Sequence, residues 1–291
     1  LCTELPAKFP GYSNFCGNCI LRSVEIKEDF NIEKQSHLQC PFALDIVILP
    51  IKALRDRVGA YIIVGPFILN KRQNMEDYAV YAQKAGIDLP TLLGALNKVN
   101  VFAYDKVNAM LRLLKDTFSY ITQTGYHKKR LGEIAPQVIE IDPLFSRYYE
   151  EKIFNTFLKT CMIALDADSG SVMTIDNASE TLRIKVASKL DQNIIDHTNI
   201  RMGEGIAGVV AQTAEPVILP KDENRNGLSS KMKRRHIKSA MIVPFNKAND
   251  QDVYGVINLN VIRKDKEFTE KDIAFIRELT NLTSLALVQV K

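Results

Sequence analysis

The stretch Gly203-Glu204-Gly205-Ile206-Ala207-Gly208 reads as a tight turn into a short helix over residues 204–212. Glycine takes positive φ at no steric cost, so Gly203 and Gly205 suit that entry. C-terminal to it, residues 216–219, 239–243 and 254–259 are apolar strands, the last two joined by a polar loop over 246–251. N-terminal to it, residues 171–175 and 181–188 flank a turn at 176–180 and read as a hairpin, with Leu182, Ile184 and Val186 alternating along its second strand. A helix over 146–165 comes before the hairpin, its stripe carried by Ile153, Phe154, Phe157, Leu158, Cys161 and Leu165. The last helix opens at Thr269, with Asp272 placed for reciprocal capping and Phe268 placed to staple onto Ile273.

The first half has a different texture. Residues 1–40 are punctuated by Pro6, Pro10, Gly11 and Gly17 and show only a short helix over 20–31. Two β-branched runs follow, 45–51 and 59–64, as an antiparallel pair. Gly65-Pro66 ends or bends the second, and Pro50 favours an edge or strand-end position. Helices follow over 75–85, closed by Gly86, around Leu92, Leu93 and Leu96, and over 105–124, where Val107, Met110, Leu111, Leu114, Phe118 and Ile121 form one stripe and Gly125 closes it. Residues 126–144 hold Gly132, Pro136 and Pro143 without a sustained period and read as a linker. The expected organisation is therefore 1–125, a linker over 126–144, and 145–291.

Composition narrows the class. With 291 residues, 46% apolar, two domains are expected. Fourteen Gly and 11 Pro are ordinary globular usage, which excludes collagen-like and low-complexity chains. No apolar run reaches the roughly 20 residues that span a bilayer, so no membrane contact is expected within this sequence. Five Cys, an odd number, argue for a reducing compartment, and the expected location is cytoplasmic. The chain opens on Leu1, which suggests a fragment of a longer protein.

With these pieces in order, residues 145–291 resemble a GAF domain: entry helix, hairpin, GEGIAG segment, Glu215-Pro216-Val217-Ile218, the strand ending at Pro244, and Tyr254-Gly255-Val256-Ile257. Residues 1–120 are similar to the latter part of a PocR-type, PAS-like sensory domain through Phe15-Cys16, Cys19, Cys40, Leu49-Pro50-Ile51, Gly59 and Gly65-Pro66-Phe67. They lack the longer stretch that usually precedes the first cysteine, so that domain is expected to be N-terminally incomplete. The resemblances imply an α/β chain of the α+β type, with two sensor domains that each have a central antiparallel sheet flanked by helices. They also imply an input region of a bacterial regulator, in a two-component system or in transcription regulation. A downstream output domain or kinase would act as its partner.

The cysteines carry the sharpest chemistry. Cys16-x-x-Cys19 suits a tetrahedral metal or an iron–sulfur cluster, with Cys2 and Cys40 completing four ligands and His37 as a substitute. A redox dithiol and plain pocket-lining thiols are the other readings, so the cofactor is left unknown. In the first domain a small-molecule ligand would meet Ile46, Ile48, Tyr61 and Ile63 or their complements. Period two shows which residues share a face but leaves open which face is inside. In the second domain, by resemblance, the cavity rim runs over 196–207 and 221–238, with Arg201 and Glu204 as polar contacts. The cyclic-nucleotide-binding pattern of the family is met only at Phe268 and Asp272, with Ile273 where Glu would stand.

Catalysis is not expected: four scattered His lack a metallohydrolase spacing, and Cys161 alone does not run a thiol redox cycle. The basic run over 221–238 has no interleaved aromatic side chain, so nucleic acid is not an expected partner. Leu279, Leu282, Leu285, Ala286, Leu287 and Val290 cover more than one face of the last helix, which predicts a homodimer through the linker and C-terminal helices. The leading reading is ligand sensing with a helical relay. A cysteine-ligated metal or redox sensor is one alternative, and a non-sensing dimerisation module the other.

Overall fold

The run from Asp45 to Ile51 is buried at every position, so β2 (Asp45–Lys52) is covered on both faces and its apolar residues do not alternate. The computed structural model describes residues 35–52, 58–134, 143–176, 178–220, 237–246, 252–263 and 265–287. The chain divides into two units, Leu1–Asn108 and Ala109–Lys291. No described helix is long and apolar enough to cross a membrane.

In the first unit, β1 (Ser36–Gln39), β2, β3 (Val58–Leu69) and β4 (Val101–Phe102) form a sheet in that order. The β1–β2 and β2–β3 pairings are antiparallel, and β4 adds two residues parallel to the end of β3. A parallel partner needs a crossover. Here the crossover holds α1 (Met75–Ala85) and α2 (Leu89–Asn97). Gly86 caps α1 in the left-handed conformation, and the Asp88 carboxylate accepts the Thr91 N–H to start α2. Both helices pack on the sheet through Tyr78, Ala82, Leu92 and Leu96, against Phe42, Leu44, Ile46 and Ile68.

Three expectations shift here. Residues 36–39 are an edge strand, although the first 40 residues read as irregular. The sheet is not wholly antiparallel, because of β4. The chain passes through Gly65-Pro66 without leaving the strand: Asp45 pairs with Phe67 and Val47 with Val64, so the extra residue forms a bulge. Pro50 pairs with Tyr61 on one side, and β1 reaches only as far as Ile48 on the other. Proline, with no amide proton, thus stands beyond the end of the described neighbour. The expected helix over 20–31 lies outside the described residues.

The second unit is a six-stranded antiparallel sheet between two different layers. Its order is β7-β6-β5-β10-β9-β8, from β5 (Ser169–Asp176), β6 (Thr181–Ser188), β7 (Asn199–Arg201), β8 (Val217–Leu219), β9 (Ser239–Asn246) and β10 (Val253–Val261). One face carries Val172, Val186, Met241, Val243, Phe245, Ile257 and Leu259. It is covered by α4 (Pro143–Ala164) and α7 (Glu270–Leu287). The α4 stripe is buried as its spacing predicts, Phe154, Phe157, Leu158 and Cys161 all at 1% exposure or less. Full burial of a Phe or Leu side chain contributes about 1.5–3 kcal/mol, so this stripe anchors the unit. On α7 one half of the expected reciprocal cap forms: the Asp272 carboxylate accepts from both the N–H and the hydroxyl of Thr269. The Asp272 N–H donates to the Thr269 carbonyl at 2.9 Å and not to its hydroxyl, and Phe268 and Ile273 join the core.

Helix α3 (Tyr104–Ile134) continues through Gly125, where the sequence suggested its end. One exposed glycine costs a helix about 1 kcal/mol, too little to stop one already propagating. Residues 126–134 of the expected linker are therefore helical. Within the second unit, Tyr120 of α3 packs with Ile153 and Ala286. The Thr160 hydroxyl donates to the Ala109 carbonyl, and the Thr156 hydroxyl donates to Asp116. This third helix changes the account of α7. Leu279, Leu282, Ala286 and Leu287 pack inside the unit, and only Leu285 stays largely exposed. The second apolar face thus has an intramolecular partner. Val290 lies outside the described residues.

Candidate functional site

The other face of the second sheet is not uniformly apolar. Register aligns Ser171 with Asn258 and Ser169 with Asn260, while Asn258 and Asn260 lie opposite Ile242 and Ala240 on the next strand. Over this face stand α5 (Gln192–His197), β7 and α6 (Gly205–Thr213). Between floor and cover lies a cavity of about 800 Å³. Ser171, Met173, Ala240, Ile242, Asn258 and Asn260 line its floor; Asn193, Ile194 and His197 of α5, then Ile200 and residues 204–207, close it from above.

The polar groups here are only partly satisfied. The Asn258 amide donates to the Ser171 hydroxyl at 3.3 Å, and the Asn260 amide to the Ser169 hydroxyl at 3.3 Å. A carboxamide offers two donors and two acceptor lone pairs. Among the described residues, each asparagine side chain therefore keeps most of its hydrogen-bonding capacity, although Asn260 is 7% exposed. Capacity held in a cavity wall is answered by water or by a ligand edge. The charge is low: among the described lining residues Glu204 is the one carboxylate and His197 the one imidazole, with no Lys or Arg.

Glu204 is one of the residues lining the cavity. Arg201 is exposed at the end of β7 and joins the rim by its backbone: its carbonyl accepts the Glu204 N–H at 2.9 Å, and its own N–H donates to the Glu204 carboxylate at 3.4 Å. Gly203 and Gly205 have φ of +80° and +60°, as a tight entry demands. Most of the rim segment expected over 196–207 lines the cavity; residues 221–236 lie outside the described residues. Sequence reasoning missed the floor. Ser169-x-Ser171 and Asn258-x-Asn260 place polar residues at period two in otherwise apolar strands, and that pattern was the available signal.

In the first unit, Ile48 pairs with Ile63 and Pro50 with Tyr61, which puts Ile46, Ile48, Tyr61 and Ile63 on one sheet face. Ile46 belongs to the helix-covered core and Ile63 packs against it. Cys40 is buried in the same core, at a turn where its N–H donates to the Leu44 carbonyl. Cys2, Cys16 and Cys19 lie outside the described residues. Among the described residues no three metal-ligating side chains come together. His37 instead contacts Asp45, its Nε2 2.9 Å from the carboxylate.

Comparison with known families now applies. The family model described as a sensory domain found in PocR matches residues 2–126, and that of the GAF domain matches residues 150–288. The chain carries a PocR-type sensory domain followed by a GAF domain. Both are sensory modules and not catalytic ones, so its role is signal sensing. Among solved structures it is similar to the GAF domain of an Acinetobacter phosphoenolpyruvate-protein phosphotransferase, at 14% identity and TM-score 0.45, covering 64% of this chain and 95% of that one. It is also similar to the GAF domain of the Coxiella burnetii phosphoenolpyruvate-protein phosphotransferase, at 16% and 0.39, covering 62% and 95%. A third similar structure is a type II free methionine-R-sulfoxide reductase from Thermoplasma acidophilum, at 14% and 0.41, covering 49% and 94%. At these scores the likenesses carry no conclusion about ligand or chemistry. A search of curated proteins finds no match.

Cys161 is the one cysteine in the GAF domain, and it is fully buried between helix and sheet. Burial pushes its thiol well above the ordinary range, so thiolate is scarce at neutral pH. Iodoacetamide at neutral pH is expected to leave Cys161 unlabelled in the native protein and to label it after denaturation, as read by peptide mass spectrometry. Native labelling at the rate of an exposed thiol would contradict this placement. Tyr254 is likewise held above the usual phenol range, first by burial and then by its hydrogen bond to the Glu150 carboxylate.

Proposed function

We propose that the GAF domain binds a small, uncharged organic molecule in the cavity over β5, β9 and β10, as part of an input region that signals to an output domain. The observation that carries this reading is the cavity of about 800 Å³ with Asn258 and Asn260 in its floor. Ligand sites of this kind are mostly apolar with a few convergent polar groups, and a volume of 300–1,000 Å³ is usual. Met173, Ile184, Ile206 and Ile242 supply the apolar wall, and the two carboxamides would pair with a donor–acceptor edge of the ligand. The low charge of the described lining favours a neutral molecule over a phosphate or dicarboxylate. Occupancy would draw α5, β7 and the start of α6 onto the sheet. The helices α3, α4 and α7 would carry the change onward, with residues 126–144 connecting the two sensor domains. Such a relay requires that the ligand bind two states with different affinity.

The test is a thermal-shift screen of the full chain against neutral amides, nucleobases, nucleosides and polyols, with sugar phosphates and dicarboxylates as the contrasting set. A neutral compound at 100 times its Kd would stabilise the protein by about 2.7 kcal/mol, a shift of several degrees. Asn258→Ala and the cavity-filling Ala240→Phe should each abolish that shift. Stabilisation by anions alone, or shifts that survive in both variants, would refute the reading.

A further inference from the structure

We propose that the molecule held over β5, β9 and β10 is aliphatic, with an amide-like head over Asn258 and Asn260 and a saturated tail running toward Met173 and Ile184. This rests on the reading of that cavity as a ligand site and narrows the class it takes. Among the described lining residues, nine are Ile, Leu or Met and none is Phe, Tyr or Trp. The sequence of 221–236 holds none of those three either. Aromatic side chains are not scarce in this domain; they are sorted. The described strands of its sheet carry two, Phe245 and Tyr254, and both pack on the helix-covered face with Phe154, Phe157 and Phe268. The cluster under the cavity, from Met173 and Ile242 to Ala207 and Val210, is aliphatic throughout. Planar ligands are held by stacking or edge contacts on aromatic side chains, or by a guanidinium plane. The described lining offers neither. Its branched aliphatic walls match a saturated chain, which gains by close packing of many small contacts.

The strand register gives the cavity an axis. Along the cavity side of β10 the side chains run Asn260, Asn258, Val256, and their β5 partners run Ser169, Ser171, Met173. Both rows change from polar to apolar at the same rung. Ile184 of β6 pairs with Met173 and extends the apolar end, while on β9 the small Ala240 lies opposite Asn260. The floor is thus polar at one end and apolar at the other, over about 13 Å of strand. The two serines prepare the head position. Each accepts one amide N–H of its asparagine at 3.3 Å. Each carboxamide then keeps one N–H and its oxygen, a donor beside an acceptor. A primary amide carries the matching pair on one small group, and the apolar end takes what is attached to it.

NMR titration of the full chain with butanamide, hexanamide and octanamide, against benzamide and nicotinamide, tests the class. In the wild type Kd should fall about fourfold per added methylene from butanamide to hexanamide, because each buried CH₂ adds a similar increment. Hexanamide should also bind more tightly than benzamide, a ring of similar size with the same head. Asn258→Ala should weaken hexanamide and octanamide by the same factor, roughly thirtyfold for two hydrogen bonds lost. Ile184→Asn should spare butanamide and remove the gain with chain length, and circular dichroism would confirm that both variants are folded. Affinity that does not rise with chain length in the wild type, or tighter binding of benzamide and nicotinamide, would overturn the aliphatic class while leaving a neutral cavity ligand in place. Failure of all five amides to bind would also overturn it, and the anion arm of the thermal-shift screen then decides the broader reading.

Discussion

Asp45→Ala is expected to cost the PocR-type domain about 3 kcal/mol and to open the sheet at its centre. The carboxylate is 3% exposed and serves three groups at once. It accepts the Leu69 N–H at 2.9 Å from β3 and the Gln39 side-chain amide at 3.2 Å from β1, and it lies 2.9 Å from the His37 imidazole. Hydrogen bonds to a charged acceptor are worth about 1.5–3 kcal/mol, and the alanine variant would leave the Leu69 N–H without its acceptor. His37 is 46% exposed and adds little. Asp45→Asn keeps an acceptor for Leu69 and should cost only about 1 kcal/mol. Urea denaturation followed by circular dichroism, with hydrogen exchange over residues 58–69, separates the two variants. An alanine variant as stable as the wild type would show that Asp45 does not hold the strands together.

Gly208→Ala is expected to cost the GAF domain about 3 kcal/mol and to remove its response to a cavity ligand. A Cβ on Gly208 would sit 2.3 Å from the Arg201 carbonyl oxygen and 3.2 Å from the Gly203 nitrogen. Both neighbours are backbone, tied into the rim by the Gly203 N–H to Gly208 carbonyl bond at 2.8 Å. Relief therefore requires the β7–α6 rim to move off the cavity, and it cannot come from one side chain turning away. Gly205→Ala is the control. Its Cβ would meet nothing within 4 Å, so only the left-handed backbone is strained, at about 1 kcal/mol. Thermal denaturation with and without the ligand from the screen reads both effects. Equal costs for the two variants would remove the steric basis given to Gly208.

These two residues also mark how far the sequence could be read. The role of Gly203 and Gly205 was legible because a helix entry is local. Gly208 was not, since the carbonyl it must clear comes from a strand that curls back over the helix start. In the sequence Asp45 is the one charge in the run 45–51, and its meaning depended on Gln39 and Leu69 arriving from two different neighbours. The dimer expectation lost its sequence argument at α7 for a related reason. An over-apolar helix shows that a second surface exists, but not whether that surface is α3 of the same unit or another chain.

What the residues determined alone was local and additive. The α4 stripe, the Thr269–Asp272 contact and the hairpin of β5 and β6 follow from periodicity and spacing, which depend on near neighbours in the chain; the order of the two sensory modules came from the resemblance of whole segments to known families. What the tertiary structure decided was which face became a cavity and which a core. Ser171, Asn258 and Asn260 become the floor of a cavity only because β5 and β10 pair in that register and α6 covers them, and such pairings join residues up to about ninety positions apart. Sequence spacing carries no record of contacts at that separation, so the site waited on the fold.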